Sequence, residues 1–304
     1  MPDKYTSGFV SIVGRPNAGK STLLNALVGS KLAIVADKPQ TTRSLVQGVW
    51  HGPGAQIVFL DTPGIHRPDS VFNRRMMQML REALDERDLL VYIADATLPF
   101  QPAEADAIEV IAQSATPAIL ALNKIDRLSD KSRLLPLIES YKNAWDFADY
   151  LPISALTGAG VEELRKAILD RLPEGPPYFP EDYLTDQPER FLAAELIRER
   201  ILHETRQEVP HAVAVLIDEW EEKPHITRIA ASIYVERDGQ KGIIIGAGGS
   251  MLKKIGTLAR EEMERMFGRR IYLELFVKVQ PQWRKDPRFL DELDWRRMLG
   301  GEGE

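Results

Sequence analysis

The chain has 304 residues, a length that suits about two domains of ordinary size. A hydrophobic content of 44% and a charged content of 28% are typical of globular proteins, and no apolar run approaches the roughly 20 residues that span a bilayer. The absence of cysteine excludes disulfides and cysteine-based zinc sites, and the net charge of −6 argues against a broadly basic nucleic-acid binder. The first residues lack a signal-peptide core, so we expect a cytoplasmic protein.

Residues 1–172 form the first predicted domain, and from residue 9 onward it alternates apolar, strand-like runs with helical patterns. The predicted strands are residues 9–13, 46–51, 57–60, 89–94, 118–122 and 151–153. The predicted helices are residues 21–28, 72–86, 103–112 and 161–171. This alternation predicts an α/β domain with a mostly parallel sheet and helices on both faces. Ligands of such sheets bind outside the carboxyl ends of the strands, so we expect the site there.

Residues 14–21 have the sequence Gly-Arg-Pro-Asn-Ala-Gly-Lys-Ser, which fits G-x-x-x-x-G-K-[ST] between a predicted strand and a predicted helix. The backbone N–H groups of such a loop and the helix N-terminus favour phosphate. Lys20 can reach the β- and γ-phosphates, and the Ser21 hydroxyl can ligate Mg²⁺. The motif therefore predicts a P-loop NTPase domain. Its expected nucleotide contacts are Gly14, Arg15, Pro16, Asn17, Ala18, Gly19, Lys20, Ser21 and Thr22.

Residues 61–64, Asp-Thr-Pro-Gly, follow the predicted strand 57–60. Asp61 can hold Mg²⁺ through water, and the Gly64 N–H can approach a γ-phosphate. In the polar loop 38–43, a threonine can complete the Mg²⁺ shell only when a γ-phosphate is present, which makes the loop a candidate order–disorder switch. Thr42 is preferred over Thr41, although the tandem leaves both open. The expected Mg²⁺ ligands are Ser21, Thr42 and Asp61, and the expected nucleotide contacts are Asp61, Thr62, Pro63, Gly64 and Ile65.

Two further motifs indicate which nucleotide base the site recognises. Residues 123–126, Asn-Lys-Ile-Asp, follow the predicted strand 118–122. The Asp126 carboxylate can accept hydrogen bonds from N1–H and the exocyclic amine of guanine, and adenine offers neither group in that arrangement. Residues 154–156, Ser-Ala-Leu, can contact the base through their backbone N–H groups. The expected guanine contacts are Asn123, Lys124, Asp126, Ser154, Ala155 and Leu156, and the predicted substrate is GTP with Mg²⁺.

Residues 173–188 are rich in proline and are predicted to form a semi-rigid linker. Residues 189–280 then form a small α+β domain, and residues 281–304 a polar tail. The predicted elements of this domain are a helix at 190–208, strands at 212–219 and 226–236, a short helix at 241–245, a helix at 250–267 and a strand at 271–279.

A second Gly-rich loop, residues 246–249, lies between the last two predicted helices and fits G-x-x-G. Such a loop lets backbone N–H groups approach nucleic-acid phosphates, with flanking lysines as further contacts. A solvated turn between helices is the alternative interpretation. The candidate RNA contacts are Lys241, Ile243, Gly246, Ala247, Gly248, Gly249, Lys253 and Lys254.

These motifs resemble the translation-factor class of GTPases in the first domain and a KH domain in the second. Over residues 8–285 the chain is similar to the Era family of bacterial ribosome-assembly GTPases. The resemblance implies GTP hydrolysis, and binding of single-stranded RNA near the 3′ end of 16S-type small-subunit ribosomal RNA during assembly of the small subunit. It implies a mostly monomeric protein without a DNA partner, and it leaves peripheral contact with the inner face of the cell membrane open.

Ile65 stands where Ras-type GTPases carry a glutamine that orients the attacking water. An aliphatic side chain cannot do so, and the Era family shares this substitution, so we expect slow hydrolysis that needs stimulation. Residues 15–21 also resemble the P-loops of K⁺-stimulated GTPases, and our hypothesis is that Asn17 helps to bind K⁺. The expected catalytic residues are Lys20, Thr42, Gly64 and Asn17.

Two other functions compete with a GTP-driven switch. One is an RNA chaperone or binding module in which GTP is a slow structural ligand, which Ile65 makes credible. The other is a P-loop kinase, which is disfavoured because residues 123–126 select guanine and no phospho-acceptor pocket is recognisable in the sequence.

Overall fold

The computed structural model describes residues 5–38, 40–65, 70–85, 87–205, 209 and 212–295. The described residues form two compact units. The first unit takes its residues from the ranges 5–35, 42–65 and 73–186, and the second from 36–41, 70–72 and 187–295. Among the described residues, no helix combines the length and apolar character that crossing a bilayer requires.

The first unit is built on a sheet that, within the described residues, has six strands in the order β2-β3-β1-β4-β5-β6. The strands are β1 (Thr6–Val13), β2 (Val46–Gly52), β3 (Ala55–Asp61), β4 (Leu89–Asp95), β5 (Ala118–Asn123) and β6 (Asp149–Pro152). Neighbouring strands are parallel except β2 and β3, which form an antiparallel hairpin. Every residue of β3 and β5 is buried, as helices on both faces of a parallel sheet require.

Helices cover both faces of this sheet, which confirms the predicted α/β class. They are α1 (Lys20–Val28), α2 (Val71–Leu84), α3 (Pro102–Ala112), α4 (Leu134–Ala144) and α5 (Val161–Leu169). Helices α1 and α5 pack on one face through residues such as Leu23 and Leu164. The other face holds α3, α4 and the part of α2 from residue 73 onward, through Leu80, Ile111 and Tyr141. Helix α4 is absent from the sequence prediction.

Residues 173–186 of the predicted semi-rigid linker belong to the first unit and pack against it. The fully buried Gln56 side chain accepts a hydrogen bond from the Phe179 N–H at 3.1 Å and donates one to the Phe179 carbonyl at 2.8 Å. The Leu184 carbonyl accepts from the Val49 N–H of the edge strand β2 at 2.8 Å. Buried backbone polar groups need partners, and these contacts supply them, which anchors the segment.

The second unit has a sheet in the order β7-β8-β9 within the described residues. Its strands are β7 (Ala214–Lys223), β8 (Ile226–Val235) and β9 (Ile271–Val279), with β7–β8 antiparallel and β8–β9 parallel. Its helices are α6 (Glu189–Glu204), α7 (Asp238–Ile245), α8 (Ser250–Phe267) and α9 (Pro287–Glu292). The predicted order of elements and the small α+β class are confirmed. Strand β7 continues past its predicted end at 219, and residues 206–208 of the predicted first helix lie outside the described residues.

The described part of the C-terminal segment, residues 281–295, is not a solvated polar tail. Trp283 is fully buried, and its indole N–H donates to the Ala212 carbonyl at 2.9 Å. Phe289 of α9 is also buried and packs edge-on against Tyr234 of β8, with ring centroids 4.9 Å apart. The prediction of a polar tail is wrong for this part because aromatic side chains spaced along a charged segment pack on the sheet. Residues 296–304 lie outside the described residues.

Candidate nucleotide and RNA sites

The P-loop connects the carboxyl end of β1 to the first turn of α1. Gly14 has φ +153°, and a Cβ there would lie 2.3 Å from the Ile93 carbonyl oxygen. Gly19 has φ +104°, and a Cβ there would lie 2.3 Å from Nδ2 of Asn123. Both positions thus require glycine, for conformation and for space. The backbone N–H groups of this turn and of the α1 N-terminus form the cradle that favours an anion.

Lys20 and Asp61 are a buried pair of opposite charge at the base of the cradle. The Lys20 ammonium donates to the carbonyls of Gly14, at 3.3 Å, and Arg15, at 3.0 Å. Burial lowers the pKa of Lys20 to about 8, although Asp61 acts to raise it. Burial raises the pKa of Asp61 to about 6, against the opposing effects of Lys20 and of hydrogen bonds from Ser21 and other donors. The predicted phosphate-binding lysine and the predicted Mg²⁺-binding carboxylate are thus both buried and interact electrostatically.

The three predicted Mg²⁺ ligands come together. The Ser21 hydroxyl lies 2.6 Å from Oδ2 of Asp61 and 2.6 Å from the Thr42 hydroxyl, which itself donates to Oδ2 of Asp61 at 3.3 Å. The other carboxylate oxygen, Oδ1 of Asp61, is buried and has no hydrogen-bond partner within the described residues. Two hydroxyls and a carboxylate are oxygen donors of the kind that Mg²⁺ takes beside phosphate oxygens, so these residues fit the ion.

The neighbouring threonine has different partners. The Thr41 hydroxyl donates to the carbonyls of Lys38, at 2.6 Å, and Ala36, at 3.3 Å. The Thr42 hydroxyl instead faces Ser21 and Asp61. This arrangement favours Thr42 as the ligand, and the assignment stays a prediction.

The two base motifs meet at the ends of β5 and β6. The Ser154 hydroxyl donates to Oδ1 of Asp126 at 2.6 Å, and the Ala155 N–H donates to Oδ1 of Asn123 at 2.8 Å. The Asn123 amide in turn donates to the Ala18 carbonyl in the P-loop at 2.8 Å. Asn123 therefore ties the base motifs to the phosphate loop, while Asp126 stays at the rim, where a base can reach it.

Asp95 belongs to the same site and was missed in the sequence. The Lys124 ammonium lies 2.7 Å from Oδ2 of Asp95 and 2.7 Å from the carbonyl of Asn17. Burial raises the pKa of Asp95, but hydrogen bonds from Lys124 and Thr97 outweigh it and leave the pKa below its usual value. Asp95 is the last residue of β4, and its place at a strand end was the signal that could have found it.

Residues 61–65 pack against the P-loop. A Cβ on Gly64 would lie 2.8 Å from the Pro16 nitrogen, and the Ile65 N–H donates to the Gly14 carbonyl at 3.0 Å. The Ile65 side chain is buried in the apolar cluster that includes Leu80. Of the remaining predicted contacts, Thr22 lies within α1, Thr62 and Pro63 are buried, and Leu156 and Asn17 are exposed.

The second Gly-rich loop joins α7 to α8. Gly248 and Gly249 have φ of +57° and +79°, and a Cβ on either would meet open space. Gly246, with φ +71°, is constrained more tightly, because a Cβ would lie 2.7 Å from Cβ of Met251. The loop therefore presents bare backbone beside the N-terminus of the 18-residue helix α8, an arrangement suited to a phosphate backbone.

The side chains near this loop fit the RNA prediction unequally. Lys253 is exposed, and Ile243 is 41% exposed beside the fully buried Ile244. Lys254, by contrast, pairs with Glu204 of α6. The Glu204 carboxylate therefore competes with any phosphate for Lys254, which makes Lys253 the stronger candidate contact.

Comparisons with known proteins agree with the two predicted kinds of domain. Residues 9–124 match the family described as 50S ribosome-binding GTPase, and residues 208–284 match the KH domain family. The chain is 49% identical to GTPase Era of Geobacter metallireducens over 293 residues, which cover 96% of this chain and 98% of that one. It is 50% identical to GTPase Era of Carboxydothermus hydrogenoformans over 284 residues, covering 92% and 94%.

Two solved structures are similar over nearly the whole chain. One is a variant of Aquifex aeolicus Era bound to GDP and AlF4⁻, with 43% identity, a TM-score of 0.92, and coverage of 95% of this chain and 99% of that one. The other is Era in complex with MgGDPNP and nucleotides 1506–1542 of 16S ribosomal RNA, with 43% identity, a TM-score of 0.93, and coverage of 96% and 99%.

Proposed function

The chain belongs to the Era family of GTPases, and from that premise we propose that its GTP cycle controls its binding of RNA. It binds and hydrolyses GTP with Mg²⁺ and binds ribosomal RNA near the 3′ end of the 16S molecule. It acts in assembly of the small ribosomal subunit, as a monomer in the cytoplasm. The monomeric state and the absence of a DNA partner rest on the resemblance alone, which leaves contact with the inner face of the cell membrane open.

The observation that carries the proposal is the meeting of Thr42 with Ser21 and Asp61. Through Thr42, the loop before β2 thereby reaches Ser21 and Asp61, whose oxygen atoms are suited to Mg²⁺. Mg²⁺ held by these residues would neutralise charge on the phosphate oxygens. Ser21 lies in α1 and Asp61 ends β3, whereas Thr42 lies in the loop before β2, so in the proposed switch the Thr42 hydroxyl joins them only when its loop is ordered.

The other residues of the site bind different parts of the nucleotide. Lys20 binds the β- and γ-phosphates, and the Gly64 N–H donates toward the γ-phosphate. Asp126 accepts from guanine, while Asn123 keeps the base motifs fixed to the P-loop. Ile65 cannot orient water, so hydrolysis is slow until a partner stimulates it. The protein then acts as a timer, with residues 38–43 and the segment from Asp61 as its switching parts.

The test compares RNA affinity in the two nucleotide states. Binding of a labelled RNA from the 3′ end of 16S ribosomal RNA is expected to differ about tenfold between a non-hydrolysable GTP analogue and GDP. Thr42→Ala is expected to remove this difference, because the loop loses its link to the ion. Thr41→Ala is the matched control and is expected to keep the difference.

Equal RNA affinity with the GTP analogue and with GDP in the unaltered protein would contradict the switch. It would favour the competing function, an RNA chaperone or binding module in which GTP is a slow structural ligand.

Asn17 is the proposed K⁺ ligand. It is exposed at the tip of the P-loop with φ +63°, and its carbonyl accepts from Lys124 at 2.7 Å, so its backbone is held while its side chain faces outward. GTP turnover is expected to be at least about tenfold faster in KCl than in NaCl, because K⁺ adds positive charge beside the phosphates. Asn17→Ala is expected to lose this stimulation, and Asn143→Ala, at an exposed position of α4, to keep it. Equal turnover in the two salts would exclude the K⁺ hypothesis.

A further inference from the structure

A buried carboxylate outside the predicted motifs contacts the P-loop. Glu104 lies in the first turn of α3 and is 7% exposed. Its Oε1 accepts from Nη1 of Arg15, the residue after the first P-loop glycine, at 3.1 Å. Its Oε2 accepts from the Tyr92 hydroxyl at 2.6 Å. One carboxylate thus joins α3 and β4 to the phosphate loop.

The tyrosines near Glu104 are held as hydrogen-bond donors. Burial, and then Glu104, raises the pKa of Tyr92 far above its ordinary value, and the pKa of Tyr141 is raised by the same two causes in the same order. Both hydroxyls therefore stay protonated and face Glu104. A buried carboxylate is stable only with such partners, and Arg15 supplies the charged one.

Arg15 stands between Glu104 and the phosphate-binding lysine. Its side chain is 31% exposed and pairs with Glu104, while its carbonyl accepts from the Lys20 ammonium at 3.0 Å. The next residues are Pro16, which Gly64 approaches, and Asn17, which carries φ +63°. The outer turn of the P-loop, residues 15–17, is therefore tied at both ends: by Glu104 through Arg15, and by Lys124 through the Asn17 carbonyl.

We propose that Glu104 is a positioning residue for nucleotide binding. It acts through Arg15 and holds the outer turn of the P-loop in the receptive conformation before the phosphates arrive. A loop ordered in advance does not spend binding free energy on becoming ordered, so the effect falls on nucleotide affinity. In NaCl, where the proposed K⁺ contribution of Asn17 is absent, the chemical step depends on groups at the γ-phosphate and changes little.

The test is a double-mutant cycle on the full chain. Glu104→Gln keeps the shape of the side chain but removes the charge that pairs with Arg15. Glu104→Gln and Arg15→Ala are each expected to weaken binding of fluorescently labelled GDP about tenfold and to raise KM for GTP, with kcat measured in NaCl within about twofold of its original value. In the double variant, the Glu104 change is expected to add nothing to the Arg15 change.

Three comparisons separate positioning from a purely structural role. Glu109→Gln, the same change on the exposed side of α3, is expected to bind GDP normally. Arg15→Lys, which retains a cation for Glu104, is expected to recover part of the affinity that Arg15→Ala loses. Melting temperatures without nucleotide show whether Glu104→Gln is folded, and the two Arg15 variants keep the test valid if it is not.

The proposal is overturned by any of three results. The first is that Glu104→Gln lowers the melting temperature but leaves GDP affinity unchanged. The second is that Glu104→Gln weakens GDP affinity by the same factor whether or not Arg15 is present. If Glu104→Gln does not fold, normal GDP affinity in Arg15→Ala overturns the proposal.

Discussion

Asp126→Asn is expected to lower the affinity for GTP at least a hundredfold and to create binding of XTP. In the proposed site the Asp126 carboxylate accepts two hydrogen bonds from guanine, whereas asparagine offers one acceptor and one donor. The asparagine NH₂ group would face the exocyclic amine of guanine, and two donors cannot form a hydrogen bond. The same NH₂ group could donate to the C2 carbonyl of xanthine. A site that hydrogen-bonds one partner rejects its mismatched analogue by large factors, because polar groups are left unpaired.

The local geometry supports this experiment, because the Ser154 hydroxyl donates to Oδ1 of Asp126 and asparagine keeps that acceptor. Competition binding with GTP, XTP and ATP measures the effect. Asp130→Asn is the matched control: Asp130 caps the next short turn by accepting from the Ser132 N–H at 2.9 Å, and asparagine caps equally well. Unchanged GTP affinity in Asp126→Asn, or ATP competing as well as GTP in the unaltered protein, would refute the guanine assignment.

Gly248→Asp is expected to weaken RNA binding by between about tenfold and a hundredfold without changing GTP hydrolysis. The substitution places a carboxylate where the loop presents bare backbone, and repulsion from two nearby phosphates is enough for roughly a tenfold loss. The backbone conformation, with φ +57°, is one that aspartate tolerates better than most residues, and a Cβ meets open space. The fold is therefore expected to survive.

Gly268→Asp is the control for charge and for backbone strain. Gly268 ends α8, has φ +66°, and also leaves open space for a Cβ. It lies at the far end of an 18-residue helix, about 27 Å from the loop at 1.5 Å per residue. Affinity for the 16S 3′-end RNA should fall for Gly248→Asp alone. Equal losses in the two variants would mean that charge anywhere on the domain suffices and that the loop has no special role.

Features carried by short, contiguous stretches were predictable. The P-loop needs its glycines because of local backbone conformation, so the pattern of residues 14–21 is sufficient to identify it. The α8 helix and the β9 strand have the predicted bounds, because their side chains follow one period from end to end. Element ends without such a period, as at β7, differ from their predicted positions.

The sequence motifs alone could not decide which of two neighbouring, chemically identical residues makes a contact. The tandem Thr41 and Thr42 are chemically identical in sequence, and only the hydroxyl contacts of the folded loop separate them. Lys253 and Lys254 are likewise equivalent until Glu204, on a distant helix, pairs with one of them. Trp283 looked like part of a polar tail because its apolar environment is made by other elements.

Ligand class, fold class and the order of the domains were thus decided by local chemistry: glycines at unusual dihedral angles, a carboxylate at a strand end, and periodic apolar faces. The tertiary structure decided which buried polar groups satisfy one another. Glu104 and Arg15 are 89 positions apart, and Gln56 and Phe179 are 123 apart. The physical reason is that a buried charge or amide must find partners, and the chain path, not the neighbouring residues, determines which partners are within reach.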